Sequence, residues 1–347
     1  MFQDITLEEL LHLRKTENHT IIDVRSPIEY ENATIPGSIN IPVFTNDERA
    51  EVGTIYRQKG KEAAKERGLA IFSAKLPDFI EKFKNIQTPK TVFCWRGGMR
   101  SKTAATVVDL MGVPVNRLSG GIRTYRRWVV DFLKNPAFSP KMIVLDGFTG
   151  TGKTEILNRL EQDGYPVIDL EDMANHRGSI FGQIGKTPSN QKRFDSLLSE
   201  KILRYRNAPF VFIEGESKRI GRAVMPDFLY EKKEQGTHIF IQLPMEERIR
   251  NILDDYQPWK YPEQVNEAFQ IIKKRIHTPI GKEIDEALTK KDYAIAVQLL
   301  LRYYYDPRYK HSIDQDQRTT IHAGNIDDAF RQIQHMYPLD RTNTITP

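Results

Sequence analysis

The run KMIVLDGFTGTGKT, Lys141 to Thr154, constrains this chain more than any other stretch. Met142 to Leu145 read as a buried strand, and Gly147, Gly152, Lys153 and Thr154 follow at the spacing G-x-x-x-x-G-K-[ST]. Strand, glycine-rich turn and helix in that order make a loop whose backbone amides converge on phosphate oxygens. Glycines let those amides turn inward without a Cβ in the way. The helix expected from about Gly152 adds the positive end of its dipole, and Lys153 adds a full charge. Thr154 carries a hydroxyl suited to holding Mg²⁺ beside the phosphates. A phosphorylated ligand is therefore expected on Gly147, Thr149, Gly150, Thr151, Gly152, Lys153 and Thr154.

Such a loop needs an α/β domain around it, and 347 residues leave room for a second. With 39% hydrophobic and 28% charged residues, the chain has the composition of a globular protein. It shows no apolar run long enough to span a bilayer and no charged start followed by an apolar export core, so no membrane association is expected and the cytoplasm is the expected location. A net charge of +5 suits nucleic acid or phosphorylated ligands without demanding them. The single cysteine, Cys94, excludes an internal disulfide framework and a multi-cysteine zinc site, and no metal site is assigned.

Taken in order, MFQDITLEELLHLRK reads as an amphipathic helix entered through Thr6. TIIDVR (Thr20 to Arg25) and ATIPGSINIP (Ala33 to Pro42) are strand patterns. Asn46 to Lys84 favours helix, with Gly53, Gly60 and Gly68 as breaks. TVFC (Thr91 to Cys94) is a strand before a glycine-containing loop and a helix from about Ser101 to Met111. VNRLSGG gives a last strand and turn, and IRTYRRWVVDFLKN a closing helix. NPAFSP (Asn135 to Pro140) reads as a linker, dividing residues 1–134 from a second domain over 141–347. There YPVIDLE, PFVFIEGES and HIFIQL are further strands, with a polar helix from about Asn190 to Arg206, and the chain is mostly helical from Met245 apart from an apolar piece near Thr319 to His322. Alternating strands and helices predict mostly parallel α/β sheets.

Cys94 ends its strand and opens CWRGGMRS. A thiolate at a strand end, facing the amides of a Gly97–Gly98 turn and a helix N-terminus, is stabilised over the thiol. Arg96 and Arg100 add positive charge on either side. This cysteine is expected to be nucleophilic near neutral pH and suited to carrying sulfur or selenium. DVRSPIEYENATIPGSINIP (Asp23 to Pro42), the Cys94 loop and LSGGIRTYRRW (Leu118 to Trp128) together resemble a rhodanese domain, a family that carries a persulfide on its loop cysteine. Cys94, five residues, Arg100 and Ser101 also match the C-x₅-R loop of cysteine phosphatases. Those enzymes normally place His before the cysteine where this chain has Phe93, and no acid-donor motif is evident.

A rhodanese-like parallel-sheet domain followed by a P-loop NTPase-like α/β domain with a mostly helical C-terminal part resembles the tRNA 2-selenouridine synthase family. The resemblance extends over essentially the whole chain, including DLEDMANHRGSIFG (Asp169 to Gly182) and FIEGESKRIG (Phe212 to Gly221). It implies a transferase acting on tRNA with 2-thiouridine at the wobble position. Geranyl diphosphate would alkylate the sulfur, and selenium from selenophosphate would then replace it. Both compounds are implied co-substrates, and a selenophosphate-producing enzyme is an implied partner. Cys94 would carry selenium as Cys–S–Se⁻ while Arg96 and Arg100 hold the anionic donor. The phosphate loop would stabilise the leaving diphosphate, although ATP and selenophosphate remain alternative ligands for it.

Glu214 and Glu216, after PFVFI, stand where a metal-holding or water-activating acid lies in this fold class, a place usually taken by Asp. Asp169, Asp172, His176 and Arg177 follow the preceding strand on the ligand side of the sheet. Glu214, Arg177 and Ser179 are assigned to ligand binding. The basic helix KRFDSLLSEKILRYR (Lys192 to Arg206) and the aromatic–basic RYYYDPRYKH (Arg302 to His311) are candidates for RNA contact, and without the family resemblance they read rather as a solvated face and a core stripe. Two other functions fit the motifs: a sulfurtransferase fused to a small-molecule kinase or NTPase without RNA, and a non-catalytic rhodanese-type module on a nucleotide sensor.

Overall fold

The computed structural model describes residues 1–308 and 318–339. It divides into two units, Met1–Leu133 with Asp195–Ser199, and the remainder from Lys134 onward. The expected fold class is what the chain adopts, a parallel α/β sheet twice over with helices gathered towards the C-terminus.

In the first unit a short strand, β1 (Gln3–Ile5), precedes α1 (Leu7–Thr16), and the sequence reading had no strand there. Three residues are too few to show alternation, yet β1 pairs in parallel with β5 (Asn116–Leu118) and closes that edge. Thr6 caps α1 in a reciprocal box with Glu9, as its place before LEEL implies. β2 (Thr20–Asp23), α2 (Pro27–Asn32) and β3 (Ile39–Asn40) follow, so the expected strand at Ala33–Pro42 shrinks to two residues near its end. Then come α3 (Asn46–Lys84), β4 (Lys90–Phe93), α4 (Met99–Leu110), β5 and α5 (Gly121–Phe132). The sheet runs β1-β5-β4-β2-β3.

Of the three glycines expected to break α3, only Gly60 departs from helical geometry, at φ +87°. Gly68 stays helical, and a Cβ there would lie 3.2 Å from the Phe44 ring, so it serves close packing instead. The core of this unit gathers Ile22, Val24, Phe72, Phe79, Phe83, Val92 and Cys94.

In the second unit β6 (Lys141–Gly147) is flanked by β8 (Phe210–Glu214) and β11 (Thr237–Gln242), with β7 (Val167–Ile168) and β12 (Thr319–His322) outermost. All these pairs are parallel. The central strand therefore delivers its C-terminal loop to the middle of one sheet edge, where ligands of open α/β sheets bind. α6 (Lys153–Gln162), α7 (Leu170–Ala174) and α8 (Gln191–Tyr205) follow β6 and β7. A small hairpin, β9 (Arg219–Ile220) with β10 (Ala223–Val224), was not foreseen; it leads into α9 (Asp227–Glu234). α10 (Met245–Tyr256), α11 (Pro262–Lys273), α12 (Thr278–Thr289) and α13 (Tyr293–Leu300) then build the helical part around Val265, Phe269, Ile284 and Leu300. Among the described residues no helix is long and apolar enough to cross a membrane.

Candidate functional site

The loop between β6 and α6 is shaped by side chains that hold its carbonyls outward. Arg248 on α10 is only 4% exposed, yet its Nε donates 2.9 Å to Thr149 O while its other nitrogens grip the Asp306 carboxylate at 3.0 and 2.6 Å. Asn251 Nδ2 donates 2.9 Å to Gly150 O. Carbonyls fastened on the α10 side leave the loop amides to face the cleft. Gly150 sits at φ +86°, and a Cβ there would come 2.7 Å from Arg248 O, so this approach excludes any side chain. Lys153 Nζ arches back to Gly147 O at 3.2 Å, and Thr151 is fully buried with its hydroxyl on Phe148 O. The loop opens on a cleft of about 860 Å³ lined by Thr149, Gly150, Thr151, Gly152, Lys153 and Thr154.

Acids face this cleft, though not the one assigned from the sequence. Glu214 is fully buried and does not line it; its Oε2 accepts from Leu170 N at 2.7 Å, anchoring the start of α7. Burial above all, then the charges of Asp169 and Glu171, push Glu214 well above the usual carboxylate range. Asp169, 4% exposed, is raised by burial too. Glu214 Oε1 and Asp169 Oδ2 find no donor if both groups are ionised, and a proton shared between them satisfies both. Of the acids that follow β7 and β8, Glu171 and Glu216 line the cleft, and Glu155, Asp254 and Asp255 line it as well. Burial, reinforced by the Glu216 charge, pushes Glu171 up to about 7 although Lys153 and Thr154 pull against it.

Arg177 and Ser179 also line the cleft. The Arg177 guanidinium lies 4.5 Å above the Tyr256 ring, ion-pairs with Asp255 at 2.8 Å and donates to the carbonyls of Ile184 and Asp255. Ser179 Oγ is 3.2 Å from Tyr256 Oη. His176 is a packing residue: it is 8% exposed, its ring fills the space over Gly182 and Gly221, and burial lowers its pKa.

In the other unit the cysteine loop is built by interlocked glycine turns. The amides of Ile122 and Arg123, opening α5, donate to the carbonyls of Cys94 and Trp95 at 2.9 and 3.1 Å. Arg117 Nη1 ties Gly97 O at 3.0 Å and pairs through its other nitrogens with Asp4. Cys94 is 3% exposed, and its Sγ lies 3.1 Å from Ser101 Oγ and 4.0 Å from Gly98 O. Where the sequence suggested loop amides, the group beside the sulfur is the Ser101 hydroxyl, which also lies 3.3 Å from Gly98 O. Arg96 is exposed. Arg100 instead forks onto both oxygens of Glu29, and although burial opposes it, that pairing holds the Glu29 carboxyl below its usual range. Trp95 and Met99 are exposed beside the loop, at 40% and 54%.

Sequence reading missed Glu171, Arg248, Asn251, Asp306, Arg117 and the role of Ser101. Only Glu171 left a local signal, as the second acid of the D-L-E run closing β7. The candidate RNA segments divide. α8 buries Phe194, Leu198 and Ile202 and exposes Lys192, Arg193 and Arg204, a solvated basic face on a core helix. Tyr304 is buried with Arg308 stacked 3.5 Å over its ring, while Arg302 and Tyr303 are exposed. Tyr309, Lys310 and His311 lie outside the described residues.

Comparison with known proteins covers both units. A model for the tRNA 2-selenouridine synthase AAA domain matches residues 140–338, and a model for the rhodanese-like domain matches residues 6–127. The chain is 30% identical over 338 residues to a tRNA 2-selenouridine synthase of Aeromonas salmonicida (strain A449), covering 88% of this chain and 90% of that protein. The protein of the same name from Shewanella woodyi (strain ATCC 51908 / MS32) is 28% identical over 350 residues, covering 91% and 94%. A third, from Bdellovibrio bacteriovorus (strain ATCC 15356 / DSM 50701 / NCIMB 9529 / HD100), is 29% identical over 352 residues, covering 89% and 92%.

Proposed function

The chain belongs to the tRNA 2-selenouridine synthase family, and from that premise we propose that it converts 2-thiouridine at the wobble position of tRNA to 2-selenouridine in two steps. In the first, the thiocarbonyl sulfur attacks C1 of geranyl diphosphate, forming an S–C bond as diphosphate departs. The departing charge develops where the Gly147–Thr154 amides and Lys153 converge, which is the form of stabilisation that lowers such barriers. In the second, at the Cys94 loop, the selenium of selenophosphate attacks C2, the alkylated sulfur takes up a proton and leaves as the geranyl thiol, and attack of water on phosphorus then breaks the P–Se bond, releasing phosphate and 2-selenouridine. Alkylation matters because a thiocarbonyl sulfur is a poor leaving group until a carbon is attached to it.

Arg96 is exposed and available to the anionic selenium donor, whereas Arg100 is committed to Glu29 and acts by holding the loop. Mg²⁺ fits beside the phosphates on Thr154 and Glu171. Their oxygens are the hard donors it takes, and the crowding that pushes Glu171 up to about 7 is what a cation relieves. Among the described residues no cluster of three or more metal-ligating side chains exists, so substrate phosphate and water would supply the remaining positions. The selenophosphate-producing enzyme is the partner that supplies the donor, and the cytoplasm is where the tRNA is met.

The observation that carries this reading is the pairing, in one chain of this family, of an anion cradle with a buried thiol held between glycine turns. It is tested by mass spectrometry of tRNA from cells that lack the protein and carry a variant copy. Cys94→Ser should accumulate S-geranyl-2-thiouridine without selenouridine, and Lys153→Ala should leave plain 2-thiouridine. Normal selenouridine in the Cys94→Ser cells would rule the scheme out.

A further inference from the structure

The phosphate cleft adjoins a second cavity of about 60 Å³, and the two share Thr149, Ser179, Ile252, Tyr256 and Tyr305. Its character changes completely past that rim. Val265 on α11, Leu288 on α12, and Ala296, Val297 and Leu300 on α13 form its walls, and hydrocarbon makes up nearly all of its surface. Ala296 is 1% exposed, Leu300 6%, Val265 7% and Leu288 8%, so its walls belong to the core of the helical part. Tyr256 at the rim has its hydroxyl engaged by Ser179, which leaves the ring as the surface a ligand meets.

A site that is polyanion-binding at one end and hydrocarbon at the other selects an amphiphile. The ribose and base of a nucleotide would be stripped of water here and, past the rim, meet a wall that is almost all hydrocarbon. Selenophosphate would leave the cavity empty. A hydrocarbon tail gains by leaving water and needs no polar partner. We infer that the cavity seats the tail of a short isoprenoid diphosphate whose diphosphate rests on the Gly147–Thr154 loop, with Ala296 and Val297 setting the tail length. The inference rests on the reading that this loop takes a diphosphate.

Size supports a short tail. A cavity of about 60 Å³ has room for about four to six water-sized groups. That is one branched five-carbon unit. A ten-carbon tail would put its outer unit inside and its inner unit across the rim, with C1 and its diphosphate in the cleft. A fifteen-carbon tail would bring a further five-carbon unit that a cavity of this volume does not hold.

The test is equilibrium binding to the full-length protein, using inorganic diphosphate and its dimethylallyl, geranyl and farnesyl esters. The native chain should bind geranyl diphosphate at least about tenfold more tightly than inorganic diphosphate, the scale on which apolar pockets discriminate. Ala296→Leu should remove about tenfold of geranyl affinity while leaving inorganic diphosphate and the dimethylallyl ester unchanged. Retained diphosphate binding shows that this variant folds. Val297→Ala, which only removes volume, should raise farnesyl affinity. Equal affinity of the native chain for geranyl and inorganic diphosphate, both weakened by Lys153→Ala, would overturn the tail site and leave the cradle standing. If Lys153→Ala weakened neither, the cradle reading would fall and the tail site with it.

Discussion

Thr154 Oγ1 donates a 2.9 Å hydrogen bond to Glu171 Oε2. The bond fastens the first turn of α6 to the segment after β7, so the helix whose dipole faces the phosphates is positioned by an acid from another strand. The same acid carries a cost. Glu171 is pushed up to about 7 by burial and by Glu216, so folding favours its neutral form.

The consequence for pH has a definite sign. A carboxyl whose folded pKa exceeds its unfolded value contributes its full stability below the unfolded value and loses it as pH rises through the folded one. For Glu171 that window runs from 4.5 to about 7, and the loss across it is about 3 kcal/mol. Asp169 and Glu214 shift in the same direction and add to it. Glu171→Gln should therefore flatten the fall in melting temperature between pH 5 and pH 8 and make the variant more stable than the native chain at pH 8. Parallel melting curves for the two proteins would show that Glu171 is not held neutral by the fold.

Gly121 offers a second prediction. It stands at φ +59°, and a Cβ there would lie 2.2 Å from Cys94 O and 2.6 Å from Gly97 N. The left-handed backbone alone costs a side chain about 1–2 kcal/mol, and the overlap displaces the cysteine loop outright. Since Cys94 is the only thiol, its alkylation rate reports on that loop alone. Gly121→Ala should change this rate and reduce selenium incorporation by about tenfold or more, while S-geranylation continues. Native rates of both alkylation and selenium incorporation would show that the loop does not depend on the turn.

How much of this was legible depended on whether the information lay along the chain. The G-x-x-x-x-G-K-[ST] spacing is local, and it located the cradle because a strand, a turn without Cβ atoms and a helix start are adjacent in sequence. Arg248, Asn251 and Asp306 hold that cradle open, yet nothing around them marks them, because their meaning arises only when α10 packs against the loop. Gly53, Gly60 and Gly68 look alike as letters. Only packing separates the helix break at Gly60 from the close approach of Gly68 to Phe44. Glu214 was assigned to the ligand from its place at a strand end, but its side chain turns under the cleft to the Leu170 amide. Position on a strand fixes where a residue starts and leaves open where its side chain goes.

The last prediction concerns the D-V-R run, which carried part of the family resemblance and which the structure explains without reference to catalysis. Arg25 is 2% exposed and Asp23 fully buried. Arg25 Nε lies 3.0 and 3.1 Å from the two Asp23 oxygens, and its Nη2 donates 2.6 Å to Oδ2 and 2.6 Å to Ala33 O. Thr34 adds a 2.9 Å bond to the same carboxylate, and Asn40 ties the carbonyls of both residues. Every oxygen of the pair is engaged, so removing one partner leaves a buried charge with no counter-ion, at a cost of about 3–5 kcal/mol. Replacing both by apolar residues of similar volume removes both desolvation penalties together, and such exchanges are often neutral. Asp23→Leu and Arg25→Met should each lower the melting temperature sharply, and the double variant should be more stable than either. Additive losses in the double variant would mean that the two side chains are held by their separate surroundings and not by each other.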